Sequence, residues 1–191
     1  MRELRVYVGP VHSEKTTRAM RAAGRYKRLK KKVVLLRPAR SIREWEKPGT
    51  LTSKNGQSFP SIDLETAGEI AEAAKGADVV WFDEPMLFPD EAKVFDAIQR
   101  VREHSIVMVS GLSATSEVEP FGSSMPKLLA VADEIVHLRA DCDVCGDFNT
   151  ATRSICLKEK RGQVLVGGEE TYQAVCPACW QKMTTRPKVP A

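Results

Sequence analysis

Leu4-Arg5-Val6-Tyr7-Val8 is an apolar run that ends in Gly9 and passes through Pro10-Val11-His12-Ser13-Glu14 into Lys15-Thr16-Thr17 and a helical pattern. A strand, a loop and a helix in that order read as a phosphate loop, which needs a glycine where the strand turns and backbone N–H groups aimed inward. It also needs a lysine for the outer phosphates and a Ser or Thr hydroxyl for magnesium. Gly9, Lys15 and Thr16 fall at the spacing of G-x-x-x-x-G-K-[ST]. Glu14 takes the place of the second glycine. It adds a Cβ where the backbone is tight, and a carboxylate near polyanion oxygens unless the side chain points away. Taken alone, Lys15-Thr16-Thr17 is equally the first turn of an ordinary surface helix.

The segments that follow supply the rest of an α/β sheet. Lys32 to Pro38 is a continuous apolar run flanked by charge, the pattern of a strand buried on both faces of a parallel sheet, and it completes a βαβ unit. Ala39 to Ser61, with Pro48, Gly49, Asn55, Gly56 and Pro60, reads as a long loop with room for a short hairpin. Leu64 to Lys75 has helical spacing and stops at Gly76. Ala77 to Glu84 is an apolar strand that ends in Asp83 and Glu84. Opposite a phosphate loop, one such carboxylate can hold magnesium and the other can take a proton from an attacking hydroxyl; alternatively the two acids only end a strand ahead of Pro85. Asp90 to Arg102 reads as a helix capped by Asp90, with Ala92, Phe95, Ile98 and Val101 inward. A strand at Ser105–Leu112, a short helix at Met125–Ala132 and a last strand at Glu134–Leu138 follow. His12 lies inside the loop, within reach of a ligand; His104 reads as solvated and His137 as a strand-face residue.

At Ala140 the composition changes, and we divide the chain into residues 1–140 and 141–191 there. Cys142-x-x-Cys145 and Cys176-x-x-Cys179 are two thiol pairs with thirty residues between them. Four thiolates suit a structural tetrahedral zinc, and two short hairpins would bring the pairs together. Cys156 is left over as a free thiol, and five cysteines argue against a disulfide framework. Lys158 to Val166 reads as a strand, and Gln181 to Ala191 as a poorly ordered tail.

With 42% hydrophobic and 28% charged residues, the chain has a globular balance, and no window approaches a membrane span or a signal peptide. A cytoplasmic protein is expected. The net charge of +4 is concentrated in Arg25, Lys27, Arg28, Lys30, Lys31 and Lys32. That run reads as a solvated helix end in preference to a nucleic-acid contact.

Taken together, these motifs resemble the type II thymidine kinases, P-loop deoxynucleoside kinases with a zinc-binding lasso domain. The resemblance runs from about Arg5 to Trp180 and rests on several motifs in one order. They are Gly9-Pro10 with Ser13-x-Lys15-Thr16, Phe82-Asp83-Glu84 with Phe88-Pro89-Asp90, Gly111-Leu112, Pro120-Phe121-Gly122, both cysteine pairs, and Gly167-Gly168-x-x-x-Tyr172. It implies an α/β fold: a RecA-like P-loop parallel sheet flanked by helices, with a small C-terminal zinc-ribbon or lasso domain, commonly assembled as tetramers. It also implies transfer of the ATP γ-phosphate to the 5′-hydroxyl of a pyrimidine deoxynucleoside, thymidine first, serving nucleotide salvage and DNA precursor synthesis. Gly9, Pro10, Ser13, Lys15, Thr16 and Asp83 would bind ATP and Mg2+, with Glu84 as general base. Arg43 would stabilise the transferring phosphate. Met86, Ser116, Phe121, Gly168 and Tyr172 would line the nucleoside, and Cys142, Cys145, Cys176 and Cys179 would hold Zn2+.

The chain departs from that family's pattern at Glu14, Ser41, Met86, Leu87, Ser113 and Ser116, and has Lys54 where histidine is usual. The phosphate machinery is mostly retained while the base pocket is altered. Three readings stay open: a thymidine kinase with changed contacts, a kinase for another pyrimidine nucleoside, or a relative without catalysis. In the last case the loop no longer holds ATP, and the zinc module with the basic run engages nucleic acid or a partner.

Overall fold

The structure is a computed structural model and describes residues 1–158 and 171–185. Six parallel strands form its sheet: β1 (Leu4–Val8), β2 (Val33–Pro38), β5 (Ile62–Leu64), β6 (Val79–Asp83), β7 (Ile106–Gly111) and β8 (Glu134–His137). Their order is β5-β2-β6-β7-β1-β8. This is a RecA-like P-loop sheet with β5 added at one edge. The long loop carries a hairpin, β3 (Thr50–Thr52) and β4 (Ser58–Pro60), turning through Gly56 with φ +80.

Side-chain alternation explains the three layers. Val6 and Val8, Val80 and Phe82, and Val107 and Val109 face a core closed by Ile98 of helix α3 (Val94–Arg102) and by Met125 and Leu128 of helix α4 (Ser124–Ala130). Tyr7, Leu35, Trp81 and Met108 face the other way, onto Ala19, Met20 and Ala23 of helix α1 (Lys15–Arg28) and onto Leu51 and Phe59 of the hairpin. Both faces are therefore dry, as continuous apolar runs require. Helix α1 ends at the basic run, with Lys30 in the left-handed conformation and the Lys27 ammonium 3.8 Å from the centre of the Phe59 ring.

Three expectations are corrected. Leu64 ends strand β5 instead of starting a helix, because residues 62–64 pair in parallel with Leu36–Pro38; helical turns begin only at Ala67 and include the one-turn α2 (Ile70–Ala73). Asp90 makes no side-chain cap for its own helix, and its carboxylate accepts from Ala67 N at 2.8 Å; Ala92 is exposed. Residues 181–185 are not a loose tail, because they continue helix α5 (Pro177–Thr185). The strand expected from Lys158 to Val166 lies, beyond its first residue, outside the described residues. Strands β9 (Arg153–Cys156) and β10 (Tyr172–Val175) pair antiparallel beside the cysteines. Among the described residues no helix is long and apolar enough to cross a membrane.

The loop between β2 and β5 is organised by one buried cation. The Arg37 side chain is 1% exposed and donates from Nε to Asp63 at 2.7 Å, from one terminal nitrogen to Glu46 at 3.1 Å, and from the other to Thr50 O at 3.1 Å. Glu46 in turn accepts from the backbone N–H groups of Arg43 and Thr52, and Asp63 from those of Gly49. Removing one member of a buried ion cluster strands the other charges. The Arg37→Met protein is therefore expected to lose about 3–5 kcal/mol in urea denaturation. Arg37→Lys keeps a charge but not the three-way fork and is expected to fall between it and the parent.

Candidate active site and metal centre

Strands β1 and β6 both end at the C-terminal edge of the sheet, on either side of β7. A Cβ on Gly9 would lie 2.5 Å from both Leu138 O and Ser13 Oγ, so only glycine lets the chain leave β1 there. Ser13 Oγ donates to Pro10 O at 2.8 Å and closes the loop. His12 and Glu14 both adopt left-handed backbone, with φ of +65 and +58. Each such residue costs roughly 1–2 kcal/mol for an L side chain. Glu14 thus performs the turn for which a glycine was expected, and its side chain is exposed. Thr16, half-buried, begins the first turn of α1 after Lys15.

The Lys15 ammonium bends back onto the loop, donating to Pro10 O at 2.5 Å, with Ser13 Oγ at 3.4 Å. Its burial against the loop lowers its pKa to about 8; Glu84 and Asp83 oppose the shift, while Arg43 and Lys54 add to it. The two acids, Arg43 and Lys54 therefore all lie within electrostatic reach of Lys15. Asp83 is 5% exposed. Burial first, and the neighbouring Glu84 charge second, push its carboxyl up to about 7; Ser110, Arg43 and Lys15 pull the other way. A hydrogen-bond chain holds it in place: Trp81 Nε1–H donates to Ser110 Oγ at 2.7 Å, and the Ser110 hydroxyl donates to Asp83 Oδ1. Glu84 is half-buried with φ +49, its N–H donating to Ser110 O at 2.7 Å. Ser110 and Trp81 were missed in the sequence. A serine inside an otherwise apolar strand was the available signal.

A cleft of about 120 Å³ opens beside the loop, between Gly9 and Pro10, residues 112–115 with Val118, and Thr152, Arg153 and Ser154 of the cysteine module. Ser116 lies in the turn closed by Thr115 N donating to Glu119 O, and its carbonyl accepts from Trp180 Nε1 at 3.2 Å. The Arg153 guanidinium is 4.6 Å from the centre of the Trp180 ring. Phe121 is half-buried and packs onto the main core, where Met86 is 3% exposed and lies under Gly111. Tyr172 starts β10, half-buried. Gly168 lies outside the described residues.

Cys142, Cys145, Cys176 and Cys179 gather with all four sulfurs within 4.8 Å of one another. Tetrahedral zinc with bonds of about 2.3 Å needs sulfurs about 3.8 Å apart, and Cys145 and Cys176 stand at 4.0 Å. Four sulfur donors leave no open position, so the set fits a structural zinc. Burial raises the Cys142 thiol, but hydrogen bonds from the N–H groups of Cys145, Cys176 and Val144 outweigh it and lower its pKa, while the neighbouring Cys145 and Cys179 thiols are shifted upward. The second pair is not on a hairpin, as expected, but at the junction of β10 and α5. Pro177 opens that helix, and Cys179 N donates to Cys176 Sγ at 3.4 Å.

Asp83 and Lys15 carry opposite linkage. The folded Asp83 holds its proton from about pH 4 to about 7 while the unfolded chain has lost it, so this group lowers stability as pH rises through that window. Lys15 costs stability below about pH 8, a cost relieved as pH rises toward 10.5. Asp83→Asn keeps an acceptor for Ser110 and removes the charge. It is expected to match the parent near pH 4 and to exceed it by about 2–4 kcal/mol at pH 8 in urea denaturation. An offset independent of pH would contradict this account of Asp83.

The thymidine kinase family model matches residues 2–180. The chain is 35% identical to a thymidine kinase of Coprothermobacter proteolyticus over 179 residues, covering 91% of this chain and 87% of that protein. It is 31% identical to one from Mycoplasma genitalium over 175 residues, covering 90% and 79%. Against one from Pseudothermotoga lettingae it is 28% identical over 185 residues, covering 96% and 97%. With nearly its whole length matched, and a kinase family on every side, the chain belongs to the thymidine kinase family.

Proposed function

We propose that this kinase moves the ATP γ-phosphate to the 5′-hydroxyl of a pyrimidine deoxynucleoside, with thymidine the preferred acceptor, and so feeds nucleotide salvage. One observation carries the reading. Desolvated Lys15 and Asp83 lie with half-buried Glu84 at the sheet edge where the glycine-opened loop begins, and half-buried Arg43 and exposed Lys54 are within electrostatic reach of Lys15. Phosphoryl transfer asks little covalent chemistry of a protein. It asks for position and for charge opposite the phosphates.

In this reading the loop amides and Lys15 bind the β- and γ-phosphates, and Arg43 meets the charge that develops on the transferring group. Thr16 and Asp83 would hold magnesium, which when bound neutralises phosphate oxygens. Glu84, beside the buried Asp83, accepts the 5′-hydroxyl proton. The nucleoside lies in the cleft between the loop, the turn bearing Ser116 and the cysteine module. No ring stands at Ser116, so base affinity there rests on edge contacts; a lost stack corresponds to about 1 kcal/mol.

A panel of nucleosides with labelled ATP tests the proposal. Transfer to thymidine is expected, with Glu84→Gln reduced by at least about 100-fold in kcat. No transfer to any pyrimidine nucleoside, with Glu84→Gln indistinguishable from the parent, rejects it. Glu14→Gly replaces a left-handed L residue by the residue that adopts that conformation freely. It is expected to raise stability by about 0.5–1 kcal/mol in thermal unfolding, and to tighten Mg-ATP in calorimetry by removing a carboxylate next to the loop.

A further inference from the structure

We propose that Asp143, inside the first cysteine pair, is a positioning residue for the phosphate loop. Through His12 it makes the shape of the nucleotide site depend on the metal-held module. The part of the proposal that concerns ATP rests on the function given above.

Contacts reach the middle of the loop from across the cleft. Val11 N donates to Ser154 Oγ at 3.0 Å, and the Val11 side chain packs on Ala140, Ala151 and Ala174. The His12 ring donates from Nδ1 to Asp143 Oδ2 at 3.1 Å. The bonds of Ser13 and Lys15 to Pro10 O close the loop on itself but do not reach these two residues. His12 and Glu14, the two left-handed residues, flank Ser13, so the conformation that aims successive N–H groups inward is strained and needs outside support.

Asp143 is held within the same segments that carry the thiols. Its Oδ2 accepts from Ala174 N at 2.6 Å, and its own N–H donates to Ala174 O at 2.9 Å. Ala174 lies two residues before Cys176 on β10, and Asp143 lies between Cys142 and Cys145. A zinc ion joining the two pairs would therefore lock the carboxylate against β10, and the carboxylate would lock the His12 ring. His12 and Asp143 keep 20% and 33% of their side-chain surface, and a pair this exposed adds little to global stability. Its effect is on where the loop sits.

The test uses the zinc-loaded full chain and its His12→Leu, Asp143→Ala, Ser154→Ala and His12→Leu/Asp143→Ala variants. Zinc content is measured first, then hydrogen exchange of the amides of residues 11–13 without nucleotide, then Mg-ATP affinity and the thymidine KM. With zinc retained, faster exchange at these amides is expected in every variant. Mg-ATP binding is expected to weaken about fivefold in each of the first two, with the double variant no weaker than the worse single one and thymidine KM unchanged. Exchange and affinity both unchanged in His12→Leu and Asp143→Ala overturn the proposal. If Asp143→Ala loses zinc, His12→Leu, which leaves the knuckle intact, decides by the same two readouts. A parent chain that binds no Mg-ATP defeats the proposed function, while the exchange rates still decide the clamp.

Discussion

Charge held out of water at the C-terminal edge of the sheet is the condition that the rest of this molecule serves. Burial drives Asp83 toward its neutral form and Lys15 toward its own, so each holds its charge less firmly than it would in water. Neither side chain is left to relax. Trp81 and Ser110 fix the carboxylate from within the sheet, and Pro10 holds the ammonium from within the loop. A site of this kind is costly when folded and gains most from a ligand that brings opposite charge. Under the proposed function, a triphosphate with its divalent cation would do so for both groups at once.

The same electrostatics explain why the long loop after β2 can carry Arg43 and Lys54 toward two other charges without collapsing. Arg37 gathers Glu46, Asp63 and the carbonyl of Thr50 in a fork that is closed to solvent. Glu46 spends its remaining acceptor capacity on the backbone of Arg43 and Thr52. The cation that shapes the loop is buried, whereas Arg43 is half-buried and Lys54 exposed, both within electrostatic reach of Lys15. An arginine can do this where a lysine cannot, because its five donors lie in one rigid plane.

Much of the sheet was legible because strands buried on both faces show as largely apolar runs, and β1, β2, β6 and β7 have that form, interrupted by Arg5 in β1 and Arg37 in β2. The turn at Gly9 between β1 and α1 and the acids at the end of β6 were legible because their spacing is fixed by local geometry. Edge strand β5 was not. Three residues, Ile62-Asp63-Leu64, are extended through pairing with β2, and Leu64 also opens a helical spacing with Ala67 and Ile70. Asp90 illustrates the other kind of failure. Its sequence position suits a cap, but the amide it reaches is that of Ala67, twenty-three residues away in the chain. Ser110 and Arg37 were visible as letters, yet their meaning depends on what β6 and the loop bring beside them. The Cys176 pair was legible as ligands and not as a helix start, since spacing constrains sulfur positions more tightly than it constrains the backbone between them.

Left-handed backbone at His12 and Glu14 ties these levels together. A loop built with glycines would reach its phosphate-binding shape without strain but would also wander when empty, because glycine gives up the most freedom on ordering. L residues at both positions reverse that balance: the unfolded loop samples less, and the folded one is strained. Such a loop keeps its shape only if neighbours over-determine it. Gly9 against Leu138, Val11 against Ser154 and the alanines beside the cysteines, and His12 against Asp143 provide that determination from two different parts of the chain. The departure from the glycine pattern at position 14 therefore need not mark a degraded site. It is consistent with a loop whose order has been moved from its own sequence to the surfaces packed around it.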